Sequence, residues 1–477
     1  MKILSVFDNV KLSIKMSIIG LLALAGLAIP TYYYTQLSFD TQSTTEYELQ
    51  GVQPASMVVM LKKVMAEHRG MSASFLSGAD NLSSSINNKA REVDEQLSRI
   101  QSILNERAPD SRLITRLNAI MGQWNLIKGQ VASQQVTARA SFVQHSATIT
   151  EADLLIEEIA NHFLLSYDPA APSYHAIIAN FKNLPRLADS LGKVRGSGAS
   201  ALAATEVTPV QKAAIRGYLN NITAPLQDFE HNMKIAAEAD KRFNSVYRLS
   251  VDIESTIEQL SALTEREILD MTQTSYASSN YFNEYSTLIN SLYDAHDKSI
   301  SVLVEFIEER AAQIASERLA TLILIVSILL ISALIAYMIV RSLKSSSTNL
   351  IHYFNQISEG KYDLPFNKDR KDEMGILESE LANLTLQLAA SAEIAIEASK
   401  VKQALDNSST CFMMSNSDRE IVYMNDAVYT MLKKAESAIR KDLPQFNVET
   451  LIGTRIDSFH HNPAHQHKVL DQLKNTH

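Results

Sequence analysis

The stretch Leu319–Val340, LATLILIVSILLISALIAYMIV, contains no charge, no Pro and no Gly. A hydrocarbon core about 30 Å thick needs roughly 20 apolar residues of helix, so these 22 or so residues read as a membrane span rather than a buried core helix. Glu317 and Arg318 stand on one side of it, Arg341 and Lys344 on the other. Every other segment is placed by which side of this helix it occupies.

A second span begins near the N-terminus. Residues 1–15 carry Lys2, Lys11 and Lys15 against a single acid, Asp8, and read as a cytoplasmic tail. Met16 to Tyr34 is almost wholly apolar and ends in Tyr32-Tyr33-Tyr34, an interfacial aromatic belt, so residues 16–36 form the span. A cleaved signal peptide is the competing reading. The apolar run is long for one, and no small-x-small cleavage site follows it. The positive-inside rule puts the N-terminal lysines, Arg341 and Lys344 in the cytoplasm. Residues 37–318 are then outside, which in a bacterium is the periplasm, and 341–477 inside.

Composition supports a mainly α protein. Of 477 residues only 14 are Gly and 11 Pro, and the net charge of −9 offers no basic footprint for nucleic acid. The single cysteine, Cys411, excludes an intrachain disulfide framework or a Cys-based zinc site. No spacing of His, Asp, Ser or Cys makes a catalytic constellation or a metal site, so the chain reads as a non-enzyme.

The outer region shows apolar 4-3-4 spacing. Val93, Leu97, Ile100 and Leu104 form one stripe; after Pro109-Asp110-Ser111, Leu113, Leu117, Ile120, Trp124, Ile127 and Val131 form another. Thr208-Pro209-Val210-Gln211 is a helix start, with Ile215, Leu219, Ile222, Leu226 and Phe229 following on one face. Asp168-Pro169-Ala170-Ala171-Pro172-Ser173 reads as a loop. Such stripes bury against each other in antiparallel bundles, and a region this long predicts two stacked four-helix bundles.

An internal echo falls on two of these helices. MAEHRGMSASFL at 65–76 and LGKVRGSGASAL at 191–202 share Arg-Gly, Ala-Ser and Leu without gaps. Gly in a helix interior costs up to about 1 kcal/mol relative to Ala, and small residues let a backbone or ligand come close. Arg offers a planar fork of donors to a planar anion. Arg69 and Arg195 are therefore the candidate ligand-binding residues for a small anion such as nitrate, nitrite or a carboxylate. The bland alternative is two bundle arginines paired with nearby acids. Glu48, Gly51 and His68-Arg69-Gly70-x-Ser72-Ala73 resemble the first helix of the helical sensor domains of bacterial chemoreceptors. Leu184-Pro185 through Arg195-Gly196-x-Gly198-Ala199 resembles their second half. Both are similar in style to the nitrate- and nitrite-sensing helical domain, in which arginines from different helices hold the anion.

On the cytoplasmic side, Leu343, Ser347, Leu350, Phe354 and Ile357 make a heptad seam that ends at Gly360. A connector with Pro365 leads to Asp372-Glu373-Met374-Gly375 and a second seam at Leu377, Leu381, Leu384 and Leu388. Residues 341–395 thus resemble a HAMP coiled-coil relay, with Gly360, Pro365, Asp372, Glu373 and Gly375 as its marker positions. The Pro usual at its start is absent, with Ser346 near that place. HAMP modules are parallel four-helix bundles of two chains, so the resemblance implies a homodimer.

From about residue 400 the periodicity changes. Cys411–Ser415 and Glu420–Met424 read as strands around an Asn416–Arg419 turn, and Asn425 caps a helix from Asp426 to Lys434. Residues 400–477 resemble the opening of a PAS domain, an incomplete α+β fold, close to those of methyl-accepting chemotaxis receptors. A full PAS needs about three more strands, so the sequence is expected to be the sensory part of a longer protein. His460, His461, His465 and His467 cluster here. Without a nearby Cys or spaced acids they read as polar helix and loop rather than a metal or haem site. A PAS-bound flavin or haem is compatible with the resemblance, but no residue demands one.

The resemblances together imply a transmembrane chemoreceptor of the bacterial inner membrane. It would act as a homodimer and control a histidine kinase through a chemotaxis adaptor. The alternatives are the sensory half of a membrane histidine kinase or cyclic-dinucleotide synthase, or a redox or gas sensor reading through the PAS.

Overall fold

The structure is a computed structural model that describes residues 10, 12–109, 111–204, 206–270, 276–367 and 369–459. Asp110, Lys2, Lys11 and the four clustered histidines lie outside the described residues. The chain divides into two compact units, Met1–Leu330 and Ile331–His477.

The first unit is helical. Helices α1 (Leu12–Phe75), α2 (Ser83–Arg107), α3 (Arg112–Ala132) and α4 (Ala138–His162) form one antiparallel bundle. Helices α5 (Ala171–Ile178), α6 (Leu184–Ala203), α7 (Pro209–Ala239), α8 (Asn244–Thr264) and the N-terminal half of α9 (Ser278–Ser358) form a second. The predicted stripes on α2, α3 and α7 face inward without exception. One continuous hydrophobic core runs through both bundles, from Val52 on α1 to Ile307 on α9.

Local chemistry sets the ends. Thr208 Oγ1 accepts the Gln211 N–H at 3.3 Å while the Gln211 side chain accepts the Thr208 N–H at 2.9 Å, a complete capping box with Pro209 in the first turn. The loop expected over 168–173 is shorter than read. Ala171-Pro172-Ser173 is already the first turn of α5, where a missing proline N–H costs nothing. Between α5 and α6 the backbone widens into a π turn, Ala179–Asn183, immediately before Leu184-Pro185. Pro185 has no N–H to offer the preceding turn, and the π turn absorbs that gap.

Among the described residues two helices, α1 and α9, are long and apolar enough to cross a membrane, and their most apolar windows are wholly unburied. Where the α1 window ends and the α9 window begins, Tyr34 Oη lies 3.4 Å from Thr321 Oγ1, and Arg318 stacks on Phe39 at 3.7 Å.

In the second unit α9 ends as the sequence suggests. Gly360 takes φ +79°, and the N–H groups of Gly360 and Lys361 close onto the carbonyls of Ile357 and Gln356 at 3.0 Å. Helix α10 (Glu373–Asp406) begins at Asp372, whose carboxylate accepts the Gly375 N–H at 3.0 Å. It runs past residue 395, because nothing between 389 and 406 breaks a helix. Strands β1 (Met413–Ser415) and β2 (Ile421–Met424) pair antiparallel around a turn in which Arg419 has φ +63°. Helix α11 (Asp426–Ile439) follows, capped by Asn425, whose side chain accepts the Val428 N–H at 3.1 Å.

Candidate functional site

Helical spacing gathers the site. On α1, Lys62, Lys63, Ala66 and Glu67 turn toward α6, where Pro185, Ala188, Asp189, Gly192 and Arg195 form one face at i, i+3, i+4, i+7 and i+10. Ile149 of α4 and Ile289 and Tyr293 of α9 close the space. The cavity is partly open and about 10 Å³, room for about one water.

Of the two predicted arginines, Arg195 lines this cavity and Arg69 stands beside it, bonded to the lining residue Asp189. Arg69 is 2% exposed and Arg195 7%. Arg69 Nη1 donates to Asp189 Oδ1 at 2.9 Å and to Ser146 Oγ at 3.1 Å, with its guanidinium 4.9 Å from the Phe142 ring centroid. Arg195 Nη1 donates to Ser286 Oγ on α9 at 2.9 Å, and its guanidinium lies 4.7 Å from the Phe282 ring centroid. No carboxylate lies within 4 Å of Arg195 among the described residues, and its Nε has no hydrogen-bond partner.

The small residues work differently from the echo's first suggestion. Gly70 and Gly196, the glycines of the two Arg-Gly pairs, face open space. The close approaches are made elsewhere. A Cβ on Gly192 would stand 3.4 Å from Arg69 Nη2, and one on Gly198 would stand 2.5 Å from Tyr281. Gly51 admits Phe163 in the same way.

The local field favours an anion. Lys62, Lys63 and Arg195 line the cavity against Glu67 and Asp189, and Arg69 adds a fourth cation beside it. Lys62 is tied to Asp153 and to the Pro185 carbonyl, and Glu67 to Lys89. Lys63 reaches across the Tyr293 ring at 4.8 Å. Burial raises the Asp189 carboxyl, but Arg69, Lys193 and Lys62 outweigh it and hold it below the usual range, so Asp189 stays charged. Burial pulls the Arg195 guanidinium below its ordinary value; Glu67 opposes this and Arg69 adds to it. Burial, then Asp189, push the Tyr293 phenol far up, so it keeps its proton as a donor.

The expected relay positions of the second unit hold the helix–connector–helix joint. Tyr353 Oη donates to the Pro365 carbonyl at 2.9 Å, and Arg370 grips Asp372 at 2.5 and 2.7 Å and also reaches Ser346. A Cβ on Gly375 would stand 2.1 Å from the Arg370 carbonyl, so only glycine fits there. Glu373 lies in the first turn of α10, where the helix dipole favours a negative charge.

Sequence reasoning missed Asp189, Ser286, Lys63 and Tyr293. Asp189 and Lys193 were legible as an i, i+4 pair on α6, but nothing in the sequence ties α9 to α6.

Residues 63–304, more than half of the chain, match the family described as nitrate and nitrite sensing. A stretch of 91 residues, 19% of this chain, is 46% identical to the methyl-accepting chemotaxis protein McpB of Pseudomonas aeruginosa and covers 13% of that protein. The solved structure of the NasR transcription antiterminator aligns over 78% of this chain and 99% of its own, with 13% identity and a TM-score of 0.44.

Proposed function

The chain belongs to the nitrate and nitrite sensing family, and from that premise we propose that it is a membrane chemoreceptor whose outer helical domain binds nitrate or nitrite between Arg69 and Arg195. One observation carries the reading: Arg195 is a buried guanidinium on a cavity beside a second arginine, and among the described residues its Nε has no hydrogen-bond partner and no carboxylate pairs with it directly. A buried, uncompensated charge destabilises a fold, and an oxyanion removes that penalty. The planar fork of Arg matches a planar oxyanion in charge and shape.

The water-sized cavity must widen to admit the anion. The ligand then draws on three helices at once, α1 through Arg69, α6 through Arg195 and α9 through Ser286. Helices α1 and α9 carry the two apolar windows, and small helix shifts are an established way to switch a receptor. The proposed path continues through a HAMP relay at 341–395 and a PAS module from residue 400. It ends at a chemotaxis adaptor and histidine kinase, with the receptor a homodimer in the bacterial inner membrane. The identity shared with a chemotaxis protein supports this path.

The test is thermal unfolding of the full chain in nanodiscs against nitrate, nitrite, formate and acetate. A ligand at 100 times its Kd adds about 2.7 kcal/mol to the folded state, a readily visible shift. The expected result is a shift with nitrate or nitrite that Arg195→Gln abolishes. A nitrate and nitrite response that is absent, or untouched by Arg195→Gln, sinks the proposal.

A further inference from the structure

Away from the anion cavity, three charged side chains from distant parts of the first unit meet in the interior. Glu48 on α1 and Asp168, in the segment that joins the two bundles, are both buried, and Arg310 on α9 lies between them. Arg310 Nη2 bonds Glu48 Oε2. Its Nη1 bonds Asp168 Oδ1 at 2.8 Å and reaches Ser173 Oγ of α5 at 3.5 Å. Asp168 Oδ1 also accepts the Ala170 N–H at 2.8 Å, while Asp168 Oδ2 and Arg310 Nε have no partner among the described residues.

One cation therefore serves two buried carboxylates. Both cannot stay ionised without leaving a negative charge uncompensated at low dielectric, so one of them holds a proton readily. Burial, then the charge of Asp168, push the Glu48 carboxyl up to about 7, with Arg310 pulling the other way. The charged groups that face Glu48 are Asp168 from the joining segment and Arg310 from α9; α5 offers only the Ser173 hydroxyl. Arg107 of α2 and His162 of α4 engage its neighbours instead, the Gln50 carbonyl and the Tyr47 ring. Arg242, near Arg310, is occupied by Asp240 and Glu309.

We propose that Glu48, Asp168 and Arg310 form a second input site of this protein, whose ligand is the proton. Protonating Glu48 leaves Arg310 to Asp168 alone and loosens the hold of α1 on α9, the two helices that carry the apolar windows. With this region outside the membrane, the proton sensed is the external one. The site is separate from the anion cavity, so it stands or falls independently of nitrate binding.

The full chain in nanodiscs tests this, in a Cys411→Ser background with spin labels introduced by Gln36→Cys on α1 and Ser316→Cys on α9. The label separation is followed from about pH 5 to about pH 9 without nitrate. The expected result is a change in separation with a midpoint near the raised Glu48 value. Glu48→Gln should hold the acid separation at every pH, and Asp168→Asn should move the midpoint down by about one unit or more as Glu48 loses its like-charged neighbour. A separation that does not respond to pH overturns the proposal, as does a midpoint that survives in Glu48→Gln or stays fixed in Asp168→Asn. Should Glu48→Gln fail to fold, the infrared band of a protonated carboxyl in the otherwise unmodified chain must grow through the same midpoint, and the absence of that band overturns the proposal equally.

Discussion

Arg195 is buried with Glu67 and Asp189 on the same cavity, but among the described residues no carboxylate pairs with it directly. A buried charge without a direct partner carries a desolvation penalty that an apolar side chain of similar reach does not. Arg195→Met is therefore expected to melt at or above the parent temperature without ligand and to show no nitrate shift. A large loss of unliganded stability would mean that the Ser286 hydrogen bond and the Phe282 contact, not a waiting anion, account for the side chain. The glycines give a second residue-level contrast within the same helix. Gly198→Ala drives a Cβ to 2.5 Å from Tyr281, whose hydroxyl is fixed on Thr264 at 2.8 Å, so the ring cannot step aside cheaply. Overpacking of this kind costs about 1–3 kcal/mol. Gly196→Ala meets nothing within 4 Å and should gain up to about 1 kcal/mol from helix propensity. Melting curves of the two variants should move in opposite directions.

Between elements, buried histidines make the helix packing sensitive to acid. His68 of α1 and His145 of α4 share a hydrogen bond of 2.8 Å, and His296 of α9 bridges Ser56 at 2.9 Å and Asn180 at 3.1 Å. Burial pulls all three down, His68 and His296 to about 3 and His145 to about 4, from an ordinary 6.5. The unfolded chain binds those protons first. The stability they contribute is therefore complete above about pH 6.5 and is lost as pH falls toward 4 and 3. Glu48 has the opposite sign: its contribution is complete below about 4.5 and lost as pH rises through about 7. The melting temperature should fall on acidification below about pH 6.5, and His296→Gln should flatten that slope even as it lowers the curve. An unchanged slope would remove His296 from the account. The stripes on α2, α3 and α7, the Thr208 box and the Gly360 and Asp372–Gly375 joints were legible in the sequence, because each depends on residues within a few turns of one another. The echo around Arg69 and Arg195 was legible for the same reason. Asp189 and Tyr293 at the cavity, and the meeting of Glu48, Asp168 and Arg310, depend on which helix faces which across more than a hundred residues, and no local period encodes that. The π turn at Ala179–Asn183 was hidden because apolar positions on either side of it keep an ordinary helical spacing.

At the scale of the whole molecule, the second unit leaves apolar surface that one chain does not cover. On α10 Leu381 is 5% exposed, whereas Leu384, on the same seam, is 45% exposed, and Leu377, Leu388 and Phe354 of α9 are open as well. Burying a leucine side chain fully contributes about 1.5–3 kcal/mol, so a row of them at heptad spacing favours association over solvation. A second copy of the same chain, set parallel, offers the same row in register. In that arrangement the seam positions of the two α10 helices come within disulfide reach, which requires Cα atoms about 4.4–6.8 Å apart. Leu384→Cys in a Cys411→Ser background should therefore give an oxidised dimer in membranes that survives denaturing gels. Leu386 is 71% exposed and lies on the far side of α10, so Leu386→Cys should cross-link poorly under the same oxidant. Equal cross-linking at both positions would mean chance collision rather than a seam. No cross-link at Leu384 would place the uncovered leucines against something other than a parallel second chain, and with it remove the proposed coiled-coil relay.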